Sequence, residues 1–291
     1  MLPATGSLTV TFARSYRVRR GRSEAAKRFM HYSLAGMSHW RAQGNCFSNP
    51  CAQAGAPTGR LMKLLAIDCA ANLCAACVYD AAAGVELGRS VLDLGKGHAE
   101  QLMAVIEEAL KAAGTDYAGL GAIAVSTGPG SFTGLRVGVS AARGLALALK
   151  IPAIGVTTLE ALAAQARATF PGCAVLAALD AGREEIHAAL YDELSVLRYG
   201  PAVTTLSQAV AMAADSFPVL AGTAATQIAA SAGRAFDIGP TSATADIAVY
   251  ARLATAQDAG KKGEGEKPKP LYLRGADAKP QAGFILARQK N

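Results

Sequence analysis

The sequence predicts an α/β fold, and three observations carry that prediction. Short apolar runs of strand length alternate with longer stretches of helical period. One apolar run, 120–126, passes through a glycine-rich turn, Gly128-Pro129-Gly130-Ser131-Phe132-Thr133-Gly134, straight into a long helix rich in small residues. The composition, 51% hydrophobic with 30 glycines in 291 residues, is that of an ordinary globular chain long enough for one large or two modest domains.

The first sixty residues stand apart from this pattern. They hold nine Arg or Lys against the single acid Glu24, so the net charge of +7 for the whole chain leaves the remainder close to neutral. Bulk charge therefore gives the folded part no nucleic-acid signature. No long apolar core marks a signal peptide or a membrane span in residues 1–61. The expectation is a disordered basic leader produced by an over-extended start, with Met62-Lys63 as the natural beginning and a cytoplasmic location.

From residue 63 the order is regular. Apolar runs at 64–68, 73–79 and 85–92, the last two separated by an Asp80–Gly84 turn, read as a strand meander. At 99–113 the period changes: Leu102, Ile106, Ala109 and Ala113 share a helical face, and Gly114 supplies the C′ residue. Strand 120–126, the glycine turn and helix Phe132–Leu149 follow, ended by Ile151-Pro152. Strand 153–156 leads to Thr157 and Glu160, spaced as a capping box for a helix to about Thr169. Pro171-Gly172 marks a seam, so residues 62–170 form a first unit and 171–260 a reduced, partly similar second one. In the second unit, strands are expected at 174–180, 185–191, 195–199 and 218–221, and helices at 207–214, 224–232 and 245–257. Residues 261–291 comprise a charged flexible loop and a docking element, Leu271-Tyr272-Leu273-Arg274.

The chemistry-bearing residues are sparse. The glycine turn lacks the Gly-Lys-Ser/Thr ending of a Walker loop and the spacing of a dinucleotide fingerprint. A structural turn capped by Ser131 and Thr133 and a phosphate cradle at Gly128 and Gly130 both remain open. Asp68 and Asp180 each end the first strand of their unit, placed for a metal-bridged phosphate or for a turn cap. His98 has Leu102 four residues on, and four histidines in all do not build a histidine metal centre. Cys74 and Cys77 have C-x-x-C spacing within an alternating strand, which reads as buried cysteines rather than metal ligands. On the long helix, Gly134, Gly138 and Ala142 form a stripe of small residues with Ala141 close by, permitting close approach; the helix is either covered within the domain or shares a patch with helix 99–113 for another subunit. Arg136, Ser140 and Arg143 form a separate polar line.

Four segments together, 64–68, Gly97-His98-Ala99-Glu100, the glycine turn through Leu135-Arg136, and 155–162, resemble the bacterial TsaB (YeaZ-like) family. The likeness continues through 180–185 and 271–274, covering nearly all of residues 62–275. The resemblance implies an actin-like, sugar-kinase-like fold of two ribonuclease-H-like lobes, the second reduced. It implies a non-catalytic dimerisation subunit of the tRNA N6-threonylcarbamoyladenosine-37 machinery, beside a catalytic TsaD paralogue and a TsaE ATPase. No tightly bound cofactor and no metal are implied for this chain, with ATP or ADP and Mg2+ acting at the level of the complex and tRNA reached through it. Asp68 and Asp180 would then be vestigial. The small-residue stripe becomes an interface centred on Leu102, Ile106, Gly134, Gly138 and Ala141, serving a homodimer when the chain is isolated. Gly138→Leu is expected to abolish partner binding while the fold survives. The competing reading is an ATP-dependent kinase or phosphohydrolase of the actin-like superfamily, resting on Asp68, Asp180 and the glycine loop. A third is direct tRNA binding by Arg136, Arg143 and Arg183.

Overall fold

Two mixed sheets carry the architecture. The computed structural model describes residues 63–260 and 267–273, so residues 1–62, with the expected leader 1–61, residues 261–266 and residues from 274 onward lie outside the described residues. In chain order the strands are β1 (Lys63–Asp68), β2 (Leu73–Asp80), β3 (Val85–Asp93), β4 (Ala122–Gly128), β5 (Ala153–Thr157), β6 (Val175–Asp180), β7 (Glu185–Tyr191), β8 (Leu197–Thr205) and β9 (Val219–Ala221). The helices are α1 (His98–Ala112), α2 (Phe132–Leu149), α3 (Thr158–Thr169), α4 (Leu206–Ser216), α5 (Ala225–Ser231) and α6 (Ile247–Gly260).

The first sheet has the order β3-β2-β1-β4-β5 and the second β8-β7-β6-β9. Each starts with an antiparallel meander and then adds a parallel strand beside its first. A crossover helix is needed before each parallel addition, and α1 and α4 supply it. The second sheet thus repeats the first without a full fifth strand. Where that strand would lie, a single parallel bridge joins Leu220 to Ile238.

Period-2 alternation divides the core. Leu64 and Ala66 of β1 point to the face shared with α3, α6 and the second sheet, while Leu65 and Ile67 point to the opposite face under α1 and α2. The inner cluster is continuous from Leu64 to Val175, Ala177 and Val219, so one hydrophobic core joins both sheets. The described residues all fall within one compact unit. A third cluster lies under α4 and α5 on the far face of the second sheet.

Local chemistry explains the element ends. Ser131 caps α2, its Oγ accepting from the Gly134 N–H at 3.2 Å. Gly114 takes φ +59 after α1, the left-handed C′ position. Thr157 supplies the side-chain half of the expected box by accepting from the Glu160 N–H at 3.1 Å. A complete reciprocal box also forms at Thr205 and Gln208, which pattern reading overlooked. The strand expected at 195–199 is longer and later, Leu197–Thr205, because the turn ends with Ser195 at φ 68.

One described helix, α2, is long and apolar enough to cross a membrane by length and composition. Its Val139, Ala142 and Ala146 are buried in the outer cluster of the first sheet and Leu135 is buried too, the arrangement of a core helix.

Candidate functional site

The glycine turn lies against the turn that follows β1. The Ser131 N–H donates to the Ala70 carbonyl at 2.7 Å. A Cβ added at Gly130 would stand 2.2 Å from the Ala70 oxygen, and one at Gly134 would stand 2.0 Å from the Cys69 oxygen. Gly128 has φ +100 and no room for a side chain beside Leu135. Backbone-to-backbone packing therefore accounts for these glycines. Of the two expected caps only Ser131 acts as one, since Thr133 falls inside the first turn of α2 and is exposed.

Asp68 is buried, with 1% of its surface exposed. Its Oδ1 accepts from the Ala70 N–H at 2.9 Å, and its Oδ2 accepts from Thr244 Oγ1. The Thr244 hydroxyl in turn lies 2.7 Å from the Tyr250 hydroxyl. Burial pushes the Asp68 carboxyl above its ordinary value, opposed by these hydrogen bonds. A carboxyl enclosed in this way joins β1 to the segment entering α6, and a phosphate-bound metal would have to displace Thr244 to reach it.

Asp180 is exposed, and its Oδ1 accepts from the Gly182 N–H at 2.7 Å. That repeats the Asp68–Ala70 turn at the equivalent strand end, which is a cap in both cases. His98 is pinned by its Nε2, which donates to the Ala71 carbonyl at 3.0 Å. Cys74 and Cys77 belong to opposite faces of β2, in the outer and inner clusters respectively, so they cannot share a metal. Among the described residues no group of three or more His, Cys, Asp or Glu side chains is placed to hold a metal ion.

The small-residue stripe faces inward, which corrects the interface centre expected from sequence. Leu102 and Ile106 fill the outer cluster under α1. Gly134 meets the Cys69 backbone, and Gly138 lies over Cys69 and Val125. Only Ala141 of the five keeps partial exposure. A leucine at position 138 would enter the core, so Gly138→Leu is a packing variant and cannot report on an interface. The small residues let α2 sit close to its own sheet.

The outward face of α2 is different. Arg136, Ser140, Arg143 and Leu147 run down it at intervals of four, three and four residues, and Leu147 is 79% exposed. Neighbouring α1 exposes Glu100, Met103 and Glu107.

At the N-terminal end of α2, Leu271 and Tyr272 meet the body of the fold. The Leu271 N–H donates to the Thr127 carbonyl at 2.7 Å. The Arg136 guanidinium stacks 3.7 Å above the Phe132 ring and donates from Nε to the Tyr272 hydroxyl at 2.8 Å. Neither the Asp68–Thr244 contact nor the Arg136–Tyr272 contact was legible as a site, because each joins residues more than 130 positions apart along the chain.

Comparison with known proteins follows the same body of the fold. Residues 93–257, more than half of the chain, match the family described as TsaD, tRNA N6-adenosine threonylcarbamoyltransferase. The tRNA threonylcarbamoyladenosine biosynthesis protein TsaB of Escherichia coli K12 is 35% identical over 133 residues, 45% of this chain and 55% of that protein. The chain thus spans about half the length of that curated relative. An uncharacterized protein of Mycobacterium tuberculosis H37Rv is 33% identical over 226 residues, 77% of this chain and 97% of the relative. Among solved structures, YeaZ from Pseudomonas aeruginosa is 27% identical at a TM-score of 0.58, covering 73% of this chain and 100% of that one. A second Pseudomonas aeruginosa structure, described as similar to the peptidase YeaZ, gives 26% identity and a TM-score of 0.63, covering 74% and 100%. With sequence and fold agreeing, the chain belongs to the TsaB (YeaZ-like) branch of the TsaD-related family.

Proposed function

We propose that this chain is a non-catalytic scaffold subunit of a tRNA N6-threonylcarbamoyladenosine-37 transferase complex, holding a TsaD-type paralogue in its competent form. The observation that carries this reading is Asp68: the strand-end carboxylate that an actin-like phosphotransferase would present to metal is enclosed by Thr244. The kinase or phosphohydrolase alternative depends on that carboxylate being available, and it is not favoured here.

The partner surface in this reading is the outward side of α1 and α2, with Arg136, Ser140, Leu147 and Met103 at its centre and Ala141 at its margin. The same surface serves a homodimer when the partner is absent. ATP or ADP with Mg2+, the TsaE ATPase and tRNA are assigned to the assembled complex, with Arg136, Arg143 and Arg183 as contributors to any tRNA contact. The two sheets correspond to two ribonuclease-H-like lobes, 62–170 and a reduced 171–260, followed by the docking segment 261–291, in a cytoplasmic protein.

The test is nucleoside mass spectrometry of tRNA from cells depleted of the chain and then supplied with residues 62–291. Threonylcarbamoyladenosine should fall on depletion and return on supply. An unchanged level after depletion overturns the assignment.

A further inference from the structure

Cys69 and Cys74 face each other across the mouth of the β1–β2 turn. The last registered pair of that ladder is Asp68 with Ala75, so Cys69 stands opposite Cys74 one position beyond it. Their sulfurs are 4.0 Å apart, and both thiols are free and buried. Only four residues separate them, Ala70-Ala71-Asn72-Leu73, with Asn72 exposed at the tip. The same cysteine forms the floor beneath α2: a Cβ at Gly138 would touch Cys69 Cβ at 3.6 Å and Sγ at 3.7 Å, and the Cys69 carbonyl meets Gly134.

We infer that Cys69 and Cys74 are a redox-sensitive pair, closing to a cross-strand disulfide under peroxide and thereby moving the support on which α2 rests. Directly opposed strand residues hold their Cβ atoms about 4.5–5.5 Å apart, which a disulfide of about 2.05 Å S–S length bridges with a modest approach of the backbones. Either sulfur can donate to the other, so a thiolate forms on one cysteine with its neighbour as hydrogen-bond donor, and Cys74 is taken as the first nucleophile. The Cys74 thiolate attacks hydrogen peroxide, forming an S–O bond and releasing hydroxide. Cys69 then attacks the Cys74 sulfenic sulfur, forming the S–S bond and expelling a second hydroxide. The two thiol protons convert both hydroxides to water, so two thiols and one peroxide give one disulfide and two waters. Peroxide reaches the pair by local opening of the short turn around Asn72.

Full-length protein, reduced and desalted, is treated with a few equivalents of hydrogen peroxide, alkylated and digested with trypsin. Cleavage after Lys63 and Arg89 releases 64–89, which contains Cys69, Cys74 and Cys77. The expected product is this peptide about 2 Da lighter with two alkylation sites lost, while Cys173 is still alkylated. Cys77→Ala must retain the cross-link, and Cys69→Ser and Cys74→Ser must each abolish it. Hydrogen exchange on the oxidised protein should change in α2 at 134–139 and remain unchanged in α4. A peptide that stays fully alkylated while Cys173 becomes oxidised overturns the proposal, as does a cross-link that survives Cys69→Ser. Should the cross-link form without any change in exchange over α2, the mechanical part is overturned.

Discussion

Three glycines of α2 separate the packing account from a bare preference for small residues. Replacing any helical glycine by alanine gains about 0.8–1 kcal/mol of intrinsic propensity where the new methyl is accommodated. Gly144 has nothing within 4 Å of the added Cβ, so Gly144→Ala should show most of that gain. At Gly138 the new Cβ meets Cys69 and Val125 at 3.6–3.7 Å, ordinary contact, and Gly138→Ala should be neutral to stabilising. Gly134 differs sharply. Its Cβ would lie 2.0 Å from the Cys69 carbonyl oxygen and 3.2 Å from the carbonyl carbon, and backbone cannot swing away as a side chain can. Overpacking of this kind costs about 1–3 kcal/mol. Gly134→Ala should therefore fall about 2–4 kcal/mol below Gly144→Ala in urea unfolding. At roughly 2–4 °C per kcal/mol for a body of this size, the two melting temperatures separate by about 5–15 °C. Equal stability of the two variants would refute the argument that the glycine turn and α2 are fitted to the Cys69–Ala70 backbone.

Asp68→Asn tests the buried carboxyl. Its folded-state value is raised, so its contribution is fully favourable below the unfolded value near 3.8 and is lost as pH rises toward the folded value. Asp68→Asn should therefore match or exceed the parent at pH 7 and lose that advantage near pH 4; a difference constant from pH 4 to 8 contradicts a raised value. Leu147→Glu should weaken co-purification of the paralogue at least tenfold with the melting temperature unchanged, since Leu147 contributes little to the fold at 79% exposure; normal binding places the interface elsewhere. Thr205→Ala removes the acceptor of the Gln208 N–H and should cost about 1 kcal/mol by urea titration, because an N-cap is lost; a cost near zero would mean that water replaces the cap.

Sequence alone determined most of the local architecture. Helix Phe132–Leu149 is legible to the residue because Ser131 offers a cap at one end and Ile151-Pro152 a stop at the other. The meander of β1, β2 and β3 follows from apolar runs broken by turn residues, and the family follows from the order of short motifs. Sequence also identified small residues on α2 but not which side they face, because a stripe of Gly134, Gly138 and Ala142 serves a domain's own sheet or a foreign helix equally well. Tertiary structure decided that in favour of the sheet: the Cys69 carbonyl fills the space a side chain would need. It likewise decided the state of Asp68, whose partner Thr244 comes from 176 residues away and whose enclosure no local pattern encodes. Pattern reading captures forces acting within a few residues along the chain; the burial of a charge and the facing of a helix are set by chain segments that meet only once the two sheets share a core.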